Sequence, residues 1–219
     1  MMSVDSRVER KFIIGLTNND FFEKILKLNC FHNPYKNRTV NSIYFDTNDY
    51  SFLRANIDGI SFRKKIRIRW YNSDLNNIFF EEKVKRNFLV SKKIEKINFL
   101  FYINSFQKSL DKYINSEINN NLIDSNYKIV LKTNYNRSYW LSNDKKIRAT
   151  VDTNLKTSPG YNLDKNIHLS DSILEFKYLP KYENYFRNFF KEIEYGLRAV
   201  KYSKYVRSFF ELNNSGLIK

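Results

Sequence analysis

ISFRKKIRIRWY, residues Ile60 to Tyr71, decides the fold. Arg63, Lys65, Arg67 and Arg69 hold the odd positions, and Phe62, Ile66, Ile68 and Trp70 hold the even ones, with Lys64 as the exception. Successive side chains of a strand point to opposite faces. One face is therefore a row of cations and the other an apolar, β-favouring surface. Like charges this close repel, so the basic face needs water or an anion along it.

The rest of the chain sharpens that choice. Across 219 residues, Lys plus Arg outnumber Asp plus Glu by 38 to 23, a net charge of +15. Such an excess predicts a polyanionic partner: nucleic acid, polyphosphate, nucleotide or an acidic membrane surface. Hydrophobic residues at 42% and aromatics at 17% exclude a disordered basic tail and point to a single domain over 1–219. One cysteine, Cys30, excludes an intrachain disulfide and suits a reducing compartment. No apolar run approaches the ~20 residues of a spanning helix, and MMSVDSRVERKF lacks a secretory core. The expectation is a soluble cytoplasmic protein.

With only 5 Gly and 3 Pro, no linker divides the chain. Strands are predicted over Arg7 to Ile14, Thr39 to Phe45, Ile78 to Lys85 and Ile173 to Tyr178, and a hairpin joins Tyr127 to Leu141 with Lys146 to Thr153 around Asn143 and Asp144. Helical spacing covers Asn18 to Leu28, with Asn18 or Asn19 as N-cap. It recurs over Phe99 to Ile118 through Leu100, Ile103, Leu110 and Ile114, then over Tyr182 to Tyr195 and Tyr205 to Leu212, with a short helix ending near Ile57. Turns fall at Asp46 to Asp49, Asp58-Gly59 and Asn76-Asn77. Many strands with few helices predict a strand-dominated α+β protein whose antiparallel sheet closes, or nearly closes, into a barrel.

Three Glu-x-Lys repeats fall in separate strands: Glu9 to Lys11, Glu81 to Lys83 and Glu175 to Lys177. Spacing by two puts each Glu and Lys on one face. Arg148, Thr150 and Asp152 also share a face. Alternating Lys and Arg alone fits a solvated outer face. If the sheet closes with these faces inward, a dry interior is excluded, because unpaired buried charge costs several kcal/mol per group. His32 and His168 stand alone without zinc spacing, and Cys30 lacks the partners of a nucleophile.

In order, Glu9-Arg10-Lys11, Ser42 to Thr47, Arg67 to Tyr71, Glu81 to Lys83, Asn136-Arg137, Arg148 to Asp152, Leu174 to Lys177 and Lys201 to Lys204 resemble the VTC domain, from about Arg7 to Phe210. That is the polyphosphate polymerase domain of the vacuolar transporter chaperone type, one of the triphosphate tunnel metalloenzymes together with the CYTH proteins. The resemblance implies a closed eight-stranded antiparallel barrel with flanking helices, a divalent metal (Mn2+ or Mg2+), and transfer of the terminal phosphoryl group of ATP onto a growing polyphosphate. It implies Arg67, Arg69, Lys83, Arg137 and Arg148 as catalytic cations, with Lys11, Lys177, Lys201, Ser203 and Lys204 on substrate phosphates and Tyr135 beside them. Glu175 would hold the metal, and Lys92, rather than Lys93, would supply a further phosphate contact.

The residue types suit that chemistry. Phosphoryl transfer demands in-line positioning and charge neutralisation rather than a covalent intermediate. Arg grips phosphate oxygens as a fork, Lys as a point charge, and carboxylate oxygens suit magnesium or manganese. The partners implied are ATP and polyphosphate or triphosphate, without specific nucleic acid. Moving product across a membrane would require a membrane-protein partner. An inorganic or nucleoside triphosphatase on the same fold is the first alternative. A non-catalytic polyphosphate- or nucleic-acid-binding module is the second; parity argues against its nucleic-acid form by separating Phe62 and Trp70 from the cations, though Tyr71 shares their face.

Overall fold

A computed structural model describes residues 3–4, 7–15, 19–87, 89–102, 105–119, 123–193 and 197–218. The elements run β1 (Ser3–Val4), β2 (Val8–Ile14), α1 (Asn19–Leu28), β3 (Phe31–His32), β4 (Arg38–Thr47), α2 (Ser51–Ile57), β5 (Phe62–Tyr71) and β6 (Phe79–Arg86). There follow β7 (Leu89–Lys96), α3 (Phe106–Asn119), β8 (Tyr127–Ser142), β9 (Ile147–Pro159), β10 (Ile167–His168), β11 (Ser172–Tyr178), α4 (Glu183–Ile193) and α5 (Lys204–Asn214). The cap proposed at Asn18, Ile103 of the expected third helix, and Tyr195 lie outside the described residues.

The strands form one antiparallel sheet in the order β1-β7-β6-β5-β4-β8-β9-β11-β2, with β3 and β10 off this path. The sheet does not close into the expected barrel. Among the described residues no backbone ladder joins the two edges, so the sheet is a curled, open half-barrel. Something else occupies the free edge of β2: Phe12 bridges Ala199, and Val200 N–H donates to the Lys11 carbonyl at 2.8 Å. Pairing with an irregular segment satisfies an edge that would otherwise offer unpaired groups. The edges nonetheless stay near each other. Val4 and Val8 lie on opposite edges four residues apart, which limits their separation to roughly 14 Å.

The outer face carries the apolar core in two parts. Ile43, Phe45, Ile66, Ile68 and Trp70 pack under Leu110, Tyr113 and Ile114 of α3. Phe12, Ile14, Val151, Leu174 and Phe176 pack under Phe22 and Leu26 of α1 and Phe186 of α4. Helix α5 packs Tyr205, Phe209 and Leu212 against Tyr44 and Leu131. Asp46, expected in a turn, ends up buried and anchors α2: its carboxylate accepts from Phe52 N–H and Leu53 N–H, both at 2.9 Å, and from Tyr205 Oη at 2.6 Å.

Two elements differ from expectation. The third helix starts at Phe106 instead of Phe99. Phe99 and Phe101 still reach Tyr113 with ring centres 5.5 and 5.7 Å apart, from outside the helix, while Leu100 is exposed. Strand β7 was not expected, because Val90-Ser91-Lys92-Lys93-Ile94 does not alternate cleanly; its pairing with β6, Lys92 opposite Lys83, holds it extended.

Candidate phosphate-binding trough

The basic parity of β5 faces the concave side, where Glu81, Asp152, Glu9 and Glu175 each hold more than one cation. Glu81 on β6 is the largest hub. It accepts from Arg67 Nε at 2.6 Å and from Lys92 Nζ at 2.8 Å, with Arg69 Nη1 at 3.8 Å. Burial would raise the Glu81 carboxyl, but Arg67, Arg69 and Lys92 hold it at about 2. Arg69 also donates to Ser42 Oγ at 3.1 Å and Tyr135 Oη at 3.4 Å, and Arg67 donates to Tyr44 Oη at 3.3 Å.

Asp152 on β9 is the second hub. Arg137 of β8 meets it through both Nε and Nη2, at 2.6 and 2.8 Å, and Lys204 at the start of α5 at 2.5 Å. Desolvation disfavours the buried carboxylate, yet these two cations keep it well below the usual range. Tyr135 lies between the hubs, with Lys204 Nζ 4.5 Å and Arg137 Cζ 5.4 Å from its ring centre.

Glu9 and Glu175 form the third group, on β2 and β11. Lys177 Nζ stands 2.8 Å from Glu9 and 3.1 Å from Glu175. Lys11 lies 3.9 Å from Glu175 and donates to the Tyr202 carbonyl at 3.2 Å. Lys83 of β6 reaches Glu9 at 3.7 Å across the open seam. Against the effect of burial, Lys83, Lys177 and Lys11 bring Glu9 down to about 2. Glu175 is also lowered: its burial opposes ionisation, but Lys11 and Lys177 favour it.

Among the described residues Lys65 has no carboxylate partner. Its ammonium donates to Ser203 Oγ at 3.0 Å, again across the seam, and Ser203 caps α5. Burial, then Lys11, Lys83, Arg67 and Arg63, push the Lys65 amine down to about 7. Nine basic groups, from Lys11 to Lys204, thus face four carboxylates, an excess of four cations besides the partly charged Lys65.

The structure brings Lys11, Arg67, Arg69, Lys83, Lys92, Tyr135, Arg137, Glu175, Lys177, Ser203 and Lys204 to this concave face. Arg148 shares the inward parity of Asp152 but is exposed at the rim, opposite Lys177. Lys201 is exposed near Gly59. Lys93 lies on the other face of β7 and pairs with Glu95 at 2.9 Å. Glu9 and Glu81 do pair with neighbouring Arg and Lys, as their residue types suggest, whereas Lys65, Tyr44 and the bridging role of Asp152 were missed as site features. The parity of ISFRKKIRIRWY already carried Lys65; nothing local carried Tyr44.

For a divalent cation the fit rests on Lys177, whose ammonium two carboxylates already share. Among the described residues no three His, Cys, Asp or Glu groups converge to hold a metal. Glu9 and Glu175 thus offer hard oxygens for part of a coordination shell that phosphate oxygens can complete. Among the described residues, no helix is long and apolar enough to cross a membrane.

The chain matches the VTC domain over residues 6–213 and belongs to that family. It is similar to subunit 4 of the vacuolar transporter chaperone complex of Schizosaccharomyces pombe, 28% identical over 144 residues. That match takes in 53% of this chain and only 20% of the relative's length. A Bacillus halodurans protein described as a candidate adenylate cyclase has a similar structure, with a TM-score of 0.58 and 14% identity over 94% of this chain and 98% of that one. A candidate adenylyl cyclase from Hippeastrum, described as having a dominant triphosphatase activity, gives 0.54 and 14% over 100% and 98%. The PH1819 protein of Pyrococcus horikoshii gives 0.53 and 18% over 95% and 98%. At such identities the likeness is one of fold alone.

Proposed function

We propose that this single domain is a polyphosphate polymerase, which moves the terminal phosphoryl group of ATP onto a growing polyphosphate in the cytoplasm. The observation that supports it most is the charge imbalance of the trough: nine cations on four carboxylates, with Lys65 left on a hydroxyl. A phosphate chain has the charge density to draw these cations off Glu81, Asp152 and Glu9. An acceptor-chain oxygen attacks the terminal phosphorus, the bond to the bridging oxygen breaks, and ADP leaves. Arg67, Arg69 and Arg137 neutralise the equatorial oxygens, with Lys83 and Arg148 as further catalytic cations. Lys11, Lys92, Lys177, Lys201, Ser203 and Lys204 hold the remaining phosphates beside Tyr135. Glu175, aided by Glu9, would hold Mn2+ or Mg2+, which supplies Lewis-acid charge when bound. Crossing of the product through a membrane would fall to a membrane-protein partner.

The activity reported for the Hippeastrum protein favours a second reading, triphosphate hydrolysis. Incubation with ATP, manganese and a pyrophosphate primer separates the two. Long-chain polyphosphate supports the polymerase; orthophosphate alone rejects it in favour of the hydrolase.

A further inference from the structure

The rows of guanidinium groups change chemistry at one end. On β5, Tyr71 follows Arg69 by two residues, and on β8, Tyr139 follows Arg137 by two, so each ring continues the inward face of its strand. Between these strands β4 begins with Arg38. Its guanidinium carbon lies 5.6 Å from the Tyr71 ring centre and 6.0 Å from that of Tyr139. Tyr35 meets Tyr139 edge-on at 5.8 Å. Tyr71 is held from behind by the cluster of Val40, Tyr135, Leu155 and Leu169, whereas Arg38 and Tyr35 are exposed. Like Lys65, Arg38 has no carboxylate partner among the described residues, but its neighbours are rings rather than a hydroxyl.

Arg38 can attract phosphate as well, but the rings of Tyr71 and Tyr139 offer a bare phosphate chain nothing, whereas a nucleotide gains from them. We propose that Tyr71, Arg38 and Tyr139 seat the base of a nucleoside triphosphate whose phosphates run inward to Arg69 and Arg137. This rests on the trough's being a triphosphate site. Aromatic rings and a guanidinium plane stack on the π face that every base presents. A purine, having the larger face, is favoured over a pyrimidine, with little further discrimination between bases.

The test compares affinities for ATP and inorganic tripolyphosphate by titration calorimetry, with magnesium present. In Tyr139→Ala and Tyr71→Ala the ATP-to-tripolyphosphate affinity ratio should fall about tenfold, as loss of a stacking ring does. Tyr139→Phe should keep it. Tripolyphosphate binding and melting temperature check that each variant is folded, and Arg38→Ala, at an exposed position, should lower the same ratio if a tyrosine variant fails to fold. An unchanged ratio in all these variants overturns the nucleobase seat while leaving the phosphate site standing. A wild-type protein that binds neither ligand overturns both.

Discussion

Lys64 and Lys65 are adjacent on β5, yet their surroundings are opposite. Lys64 points to the outer face, where it pairs with Glu82 at 2.7 Å and donates to Tyr127 Oη at 3.1 Å. Burial there would lower its pKa, but Glu82 and Tyr127 raise it. Lys65 points into the trough, where burial and four neighbouring cations act in the same direction and bring it to about 7. The outer face is electrically settled; it borders a cavity of about 980 Å³ beside α3 that is lined by both Lys and Glu. The inner face retains excess positive charge. A surface built to be stable pairs its charges, whereas one built to bind leaves some waiting for a ligand.

The inner face is most sensitive at its arginines. Arg67→Ala or Arg69→Ala should cut turnover by roughly 10²–10³-fold, with an intact fold by circular dichroism. Wild-type rates in either variant would end the assignment of the trough as the catalytic centre. Glu81→Gln comes next, because it strands Arg67 and Lys92. Ligand-free stability should drop by about 2–3 kcal/mol in denaturant titrations, less than for a fully buried pair because water reaches the trough. Saturating tripolyphosphate should recover much of the loss. Glu9 and Glu81 are both depressed from 4.5 to about 2. Their stabilisation is therefore complete above pH 4.5 and disappears as pH falls toward 2.

Lys65 sharpens the contrast through protons. Phosphate binding should return its amine from about 7 toward the ordinary 10.5, so binding takes up a proton between those values. Affinity for tripolyphosphate should then fall as pH rises above 7, by up to about tenfold per pH unit. Calorimetry in two buffers of different ionisation heat reads this uptake. It should vanish in Lys65→Arg and persist in Lys64→Ala; uptake that survives Lys65→Arg would show that another group carries it. The smallest effect is on the free protein. Because the folded Lys65 binds fewer protons than the unfolded one between pH 7 and 10.5, stability rises with pH across that window. Lys65→Met should flatten the slope, as seen in melting temperatures at pH 7 and 9.

Where charge and apolarity alternate strictly, as from Arg63 to Trp70, the faces of the sheet were legible, since a two-residue period is a property of the strand itself. The Glu-x-Lys pairs were legible for the same reason. Strand β7 was not, because Lys92 and Lys93 face opposite sides without an apolar partner to mark which is which. The start of α3 was misplaced because Phe99 and Phe101 pack like helical residues without being in one.

The amino-acid order alone determined which side of β5 is basic, and therefore that an anion or water belongs there. Tertiary structure alone decided that Glu81 would gather Arg67, Arg69 and Lys92, that residues 199–203 would line the seam, and that Lys65 would face Ser203. Those outcomes depend on the curl and register of strands far apart in the chain, and a local period contains neither.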